Sequence, residues 1–198
     1  MLRYPLLFII VFMLSGCGYN DIQSSDEKVN SSWAEVLNQY QRRADLVPNL
    51  VATVKGYSSH EASVLEAVTK ARANAMAATA ALQHKPDDLR ALQQWQQSQQ
   101  TLTGTLSRLN IISENYPELK ADSLYRDLMV QLEGTENRIA VARGRYVVAV
   151  QQYNTLIRQF PGVLMAKLMG YHAKVNFLSA NEDVVSQVPT VDFGVAYH

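Results

Sequence analysis

One apolar stripe constrains this chain more than any other feature. Between residues 121 and 160, Tyr125, Leu128, Leu132, Thr135, Ile139, Ala142, Tyr146, Ala149, Tyr153, Leu156 and Phe160 alternate at spacings of three and four. That spacing places them all on one side of a helix. Such a helix would span ~60 Å at about 1.5 Å per residue. Its apolar side can be buried only by other helices of comparable length.

The rest of the chain supplies them. Trp33, Leu37, Tyr40, Ala44, Val47, Val51 and Val54 keep the same alternation. They hold phase across Pro48, which predicts one helix over about 28–57, kinked where proline removes a backbone donor. Ser58-Ser59-His60-Glu61 reads as a capping box for a second helix. Its stripe is Val64, Val68, Ala71, Ala75, Ala78 and Leu82, with an alanine-rich stretch that favours close approach. The turn His84-Lys85-Pro86-Asp87 leads into a third helix, about 87–116, carrying Leu89, Leu92, Leu102, Leu106, Leu109 and Ile112. Within it, QQWQQSQQ at 93–100 reads as a solvated helix face. Pro117 stops this helix, and Pro161-Gly162 stops the fourth. Residues 163–178 predict a short apolar helix, and from Ser179 onward no period remains. No run of period two predicts a strand. The expected fold is all-α: a long antiparallel four-helix bundle with a short C-terminal helix.

The N-terminus, MLRYPLLFIIVFMLSGC, stands apart from this pattern. Arg3 precedes an apolar run, Leu6 to Leu14, shorter than the ~20 residues of a spanning helix but suited to a secretory leader. Leu14-Ser15-Gly16-Cys17 resembles a bacterial lipobox, which implies a leader over 1–16 and a lipid on Cys17. The competing reading is an uncleaved anchor with an incidental cysteine. Cys17 is the only cysteine, so the monomer has no disulfide. Several acyl chains on one residue would anchor the protein stably. Loss of residues 1–16 removes one charge, Arg3, leaving 17 basic and 18 acidic side chains. Charge attraction is therefore not the anchor. By resemblance to sorted lipoproteins, Gly18 after the cysteine points to the outer membrane rather than the inner. Residues 17–28 read as lipidated Cys and polar tether, 29–178 as the bundle and 179–198 as a flexible tail.

Motifs that carry chemistry are sparse in the sequence. The 18 basic and 18 acidic residues balance, which argues against a nucleic-acid binder. A di-iron bundle needs Glu-x-x-His pairs, and no Glu here has a His three residues later. His60, His84, His172 and His198 lie on different segments, so no metal and no cofactor is expected. No Walker loop or G-x-G-x-x-G occurs. A hydrolase built from residues that converge only in space stays open at this stage.

The stretch from Arg42 to Tyr57 is the most specific. Arg42-Arg43-Ala44-Asp45-Leu46-Val47-Pro48-Asn49-Leu50-Val51, then Val54-Lys55-Gly56-Tyr57 and His60-Glu61, resembles the signature of the LemA family. Tyr116-Pro117-Glu118-Leu119-Lys120-Ala121 agrees, as do Leu132-Glu133-Gly134-Thr135-Glu136-Asn137-Arg138-Ile139 and Ala142-Arg143. Tyr153-Asn154, Phe160-Pro161 and Val191-Asp192-Phe193 follow in order, so the resemblance covers about 29–193. It implies an all-helical bundle tethered to a bacterial membrane, with no established enzyme activity. Family members commonly begin with an uncleaved membrane helix. The lipobox here departs from that and puts the usual orientation in doubt.

The polar residues of this signature fit the helix in two ways. With Val47 and Val51 on the stripe, Arg42, Asp45, Leu46 and Asn49 fall on the outer face, and Arg43 and Leu50 flank the core. In a structural account, Arg43 and Asp45 bond to backbone freed at Pro48, or to Glu133 and Glu136. In a functional account, Arg42, Leu46, Asn49 and Tyr57 form a docking face. Glu133, Glu136, Asn137, Arg138 and Arg143 form a second polar cluster, read as a salt-bridged flank rather than a carboxylate dyad. Val141, Val147 and Val148 lie off the stripe and need a cover, either the 163–178 segment or a partner. The expected role is a lipid-anchored, periplasm-facing, non-catalytic interaction or scaffold protein. It would bind the membrane through Cys17 and a further envelope protein through a helix face. The alternatives are a structural envelope-maintenance lipoprotein or an unrecognised hydrolase.

Overall fold

The computed structural model describes residues 3–57, 61–84 and 88–176, and among these there is no strand. Six helices follow in order: α1 (Arg3–Tyr57), α2 (Ala62–His84), α3 (Leu89–Ser113), α4 (Pro117–Ala121), α5 (Ser123–Leu156) and α6 (Gly162–Met169). The four long ones form the all-α bundle that the stripes demand, and α6 is the short C-terminal helix. The expected capping box at Ser58 and the tail from Ser179 lie outside the described residues.

Packing is uneven around the bundle. α1 runs antiparallel along α5, α2 packs on α1, and α3 packs on α2. α3 and α5 have no comparable packing, so a seam is left between them. The helix starts are set locally. Asp88 caps α3 by accepting from the Arg90 and Ala91 amides, and Asp122 caps α5 by accepting from the Tyr125 amide. Pro117 opens α4 rather than closing α3, which ends at Ser113.

Three clusters make up the core. Val47, Leu50, Val54, Leu102 and Leu109 lie in one, Trp95, Tyr40, Val36 and Ile139 in the next, and Ile22, Val29, Val150, Tyr153 and Ala166 in the third. In the middle cluster Trp33, Trp95, Tyr40 and Tyr146 stack edge-on or tilted, with ring centres 4.7–5.5 Å apart.

Two helices depart from the expected phase. On α5 the buried set follows the stripe to Ala142; beyond it Tyr153 stays on the stripe, Val150 replaces Ala149 and Ile157, at the C-cap, replaces Leu156, and Phe160 is exposed. A straight helix turns once per 3.6 residues, so it drifts ~20° per heptad against a 3.5 repeat. On α1 the core side is centred one position earlier than expected. Ile22, Val29, Val36 and Leu50 are buried at heptad intervals, and Trp33, Leu37 and Val51 are only half-buried.

Other expectations are corrected. Residues 18–28, read as a polar tether, are helical. They continue α1, and Ile22 is fully buried against α6 and α5. The stretch 93–100 is not a wholly solvated face, since Trp95, Gln96 and Gln99 are buried. The predicted helix over 163–178 ends at Gly170, whose φ of 74° caps α6, and residues 171–176 run back along the bundle. There both polar atoms of the Asn154 amide bond the Lys174 backbone, at 2.8 and 2.9 Å. Tyr146 donates to the Val175 carbonyl, and Lys174 pairs with Asp26 at 2.7 Å. Val147 is half-buried against the middle cluster, and Val141 and Val148 stay exposed.

Pro48 sits inside α1. Its missing N–H would have served the Ala44 carbonyl one turn back. That carbonyl instead accepts a hydrogen bond from Arg72 Nε of α2 at 2.7 Å.

Candidate functional site

The heptad series Ile22, Val29, Val36, Leu50 is interrupted once, by Arg43. Arg43 occupies the same inward position as those aliphatics and is 1% exposed. A buried guanidinium is tolerated only when its donors are answered. Two helices supply the acceptors. Nη1 donates to Glu136 Oε1 on α5 at 2.9 Å and to Thr103 Oγ1 on α3 at 2.8 Å. Nη2 donates to Gln99 Oε1 at 2.6 Å and to the Gln99 carbonyl at 3.2 Å. One side chain of α1 thereby ties together the two walls of the open seam.

The network continues in both directions. Gln99 Nε2 reaches Thr79 Oγ1 and the Ala75 carbonyl on α2, and Trp95 Nε1 donates to the same Thr79 hydroxyl. The Arg43 guanidinium also lies 4.9 Å from the centre of the Tyr40 ring. Burial pushes the Tyr40 phenol up from its ordinary pKa, and Arg143, which hydrogen-bonds it, and Arg43 pull it partly back.

Above Arg43 the seam opens into a cavity of about 350 Å³ between α1, α3 and α5. Tyr40, Gln96, Gln99, Glu136 and Arg143 line it with Arg43. Thr103 and Glu136 are shared with a second, more apolar cavity of about 470 Å³, walled by Leu106, Met129, Val130 and Leu132. Two donors here have no protein acceptor: Arg43 Nε and Gln96 Nε2.

The structure brings together only part of the residues singled out from sequence. Arg43, Glu136 and Arg143 meet at the cavity. Glu133 is exposed on the rim of the apolar half, and Glu136 is bound to Arg43. Arg138 lies outside, bonding Thr135 and Gln39 from an exposed position, and Asn137 is exposed. Asp45 does not join Arg43. It is exposed and accepts from Gln41. The backbone freed by Pro48 is answered by Arg72, which the sequence reading did not consider. Arg42 and Asn49 are exposed on α1, and Leu46 packs partly into the core. Tyr57 is tied down, its hydroxyl donating to Asp122 Oδ2 at 2.7 Å. Gln96, Gln99 and Thr103 were missed. The signal for the two glutamines was their spacing with Leu92, Leu102 and Leu106, which puts them on the apolar side of α3.

Among the described residues no three His, Cys, Asp or Glu side chains gather as a metal site requires, and no helix is long and apolar enough to cross a membrane.

Long antiparallel helices, a buried arginine tie and an open polar seam define this chain as an all-α bundle protein. Residues 32–193 match the LemA family, and the chain belongs to it. Comparison with curated proteins finds no match.

Proposed function

We infer that this LemA-family chain is a lipid-anchored envelope protein that acts by binding, as an interaction or scaffold module, rather than by catalysis. The observation that carries the reading is at the N-terminal end of the bundle. α6 packs on α1 at Ile22, five residues beyond Cys17, a rise of only ~8 Å along a helix. On its outer side α6 exposes Leu164, Leu168 and Met169, and Phe160 just before it is 79% exposed. An apolar face beside an acylated cysteine suits the surface of a bilayer. With this end on the membrane, the long flanks of the bundle are left for a protein partner. α5 presents Val130, Val141 and Val148 along one exposed line there, and α1 presents Arg42 and Asn49. Lipid anchoring would confine such encounters to the membrane plane. Gly18 after the cysteine favours the periplasmic side of the outer membrane.

The test is palmitate labelling and membrane flotation of the full-length protein beside Cys17→Ser and Leu164→Ser/Leu168→Ser. Label is expected on the parent and absent from Cys17→Ser, which should leave the membrane fraction. The double serine variant should keep the label and float less completely after partial detergent extraction. An unlabelled parent, or a Cys17→Ser protein that floats as the parent does, would overturn the anchor. Pull-down from solubilised membranes then tests docking, with a near-stoichiometric partner expected from the parent alone.

A further inference from the structure

The chain leaves α6 in a definite direction. Gln23 of α1 donates to the Tyr171 hydroxyl, and Lys174 pairs with Asp26 and donates to Asn30 further along α1. Along α5 the same segment passes from Asn154 to Tyr146. There Val175 shares a small cavity, about 160 Å³, with Trp33, Tyr146 and Leu92, the last in the first turn of α3. Asn176, the next residue, is the last one described.

In that direction the next turn of each wall belongs to the open seam, Gln96 on α3 and Arg143 on α5. The seam is polar at first. Past Thr103 and Glu136 it becomes apolar, with Leu106, Met129 and Leu132 around a cavity of about 470 Å³. Met129 is only half-buried. A further segment laid there would take that apolar area out of water. The sequence beyond Asn176 reads Phe177-Leu178-Ser179-Ala180-Asn181-Glu182-Asp183-Val184-Val185. After Phe177-Leu178 a mostly polar run precedes a valine pair, which is the order of the seam. Length agrees as well. Leu106 stands ~21 Å beyond Leu92 along α3 at about 1.5 Å per residue. The chain from Val175 to Val184 reaches ~30 Å when extended. A segment of the same chain also meets the seam at a high effective concentration, which no separate partner has.

We propose that the α3/α5 seam is the docking groove for residues 177–185 of the same chain. Phe177-Leu178 continue from the Leu92 cavity, residues 179–183 cross the polar half, and Val184-Val185 seat against Leu106 and Met129. The segment closes the seam as a further wall of the bundle. Docking does not depend on the lipid anchor.

Disulfide trapping in the full chain tests this, with Cys17→Ser to leave no other thiol. Ser107 is exposed at the rim of the apolar half, so Ser107→Cys/Asp183→Cys is the seam pair. Gln97 is exposed on α3 outside the seam, and Gln97→Cys/Asp183→Cys is the reference pair. The seam pair should close within one chain roughly tenfold faster than the reference pair. Adding Val184→Ser/Val185→Ser should erase that advantage. In the parent chain, the same two serines should lower Tm by about 2–4 °C, whereas solvated valines would leave it unchanged. Equal closure rates for the two pairs, a bond that joins two chains instead of one, or an unchanged Tm in the double serine variant would each overturn the docking.

Discussion

Arg72 donates its Nε–H to the Ala44 carbonyl at 2.7 Å, filling the place of the backbone donor that Pro48 lacks. Ala44 is buried, so its carbonyl has no recourse to water there. A proline inside a long helix costs ~3 kcal/mol, part of it from the orphaned carbonyl. Arg72 offsets that part from a neighbouring helix. Arg72→Met should therefore destabilise the protein by about 1–3 kcal/mol, the cost of one unanswered buried acceptor. The same change in a Pro48→Ala background should cost far less, because the residue 48 amide then bonds Ala44 directly. A double-mutant cycle by urea denaturation measures this coupling. Equal losses in both backgrounds would show that Arg72 works by some other contact.

The Arg43 tie gives a second prediction. Arg43→Met leaves Gln99 and Thr103 without their donor and Glu136 without its cation. Glu136 retains 38% exposure of its side chain, so water answers part of its loss. A destabilisation of ~3 kcal/mol is expected by chemical denaturation, near the low end for a broken buried pair. Arg43→Lys should recover little of it. A single ammonium cannot span Glu136, Thr103 and Gln99 as the planar fork does.

Tyr57 and Asp122 predict a pH dependence. The hydrogen bond from Tyr57 holds the Asp122 carboxyl below its ordinary value of 3.8, and the same bond raises the Tyr57 phenol above 10.0. A lowered carboxylate pKa stabilises above the ordinary value, and that contribution is lost as pH falls through the lowered one. A raised phenol pKa stabilises below the ordinary value, and that contribution is lost as pH climbs through the raised one. The bond thus contributes fully across neutral pH and fades at both ends. Tyr57→Phe should melt below the parent at neutral pH, and the two melting curves should converge in strong acid and strong alkali. A gap that is flat from acid to alkali would mean that the bond is not the cause.

Gly162 predicts a steric limit. A Cβ placed there would collide with the Leu156 carbonyl oxygen. Gly162→Ala should push α6 off its seat and destabilise the bundle by about 1–3 kcal/mol, as overpacking does. Protection of the α6 and residue 171–176 amides in hydrogen exchange should fall with it, while the α2–α3 pair stays protected.

The fold and a good part of the candidate site were decided at different levels. Alternation at three and four residues over Tyr125–Ala142 and Tyr40–Val54 fixed helices and apolar sides, because periodicity is a local property of the backbone. Hence the all-α bundle and its helix order were legible from the residues alone. The LemA signature was legible too, since Arg42–Val51 and Leu132–Ile139 stand as contiguous motifs. The exact azimuth of each helix was not. It depends on where neighbours stand, and so Arg43, placed at the flank by its sequence phase, turned out to lie in the core with Val36 and Leu50. Gln96 and Gln99 looked solvated in a run of glutamines, yet the packing of α3 against α2 turned them inward. The Arg43–Glu136 and Arg72–Ala44 bonds join residues far apart in the chain. No spacing encodes such a pairing, because buried donors and acceptors find each other only after the hydrophobic stripes have brought the helices into register.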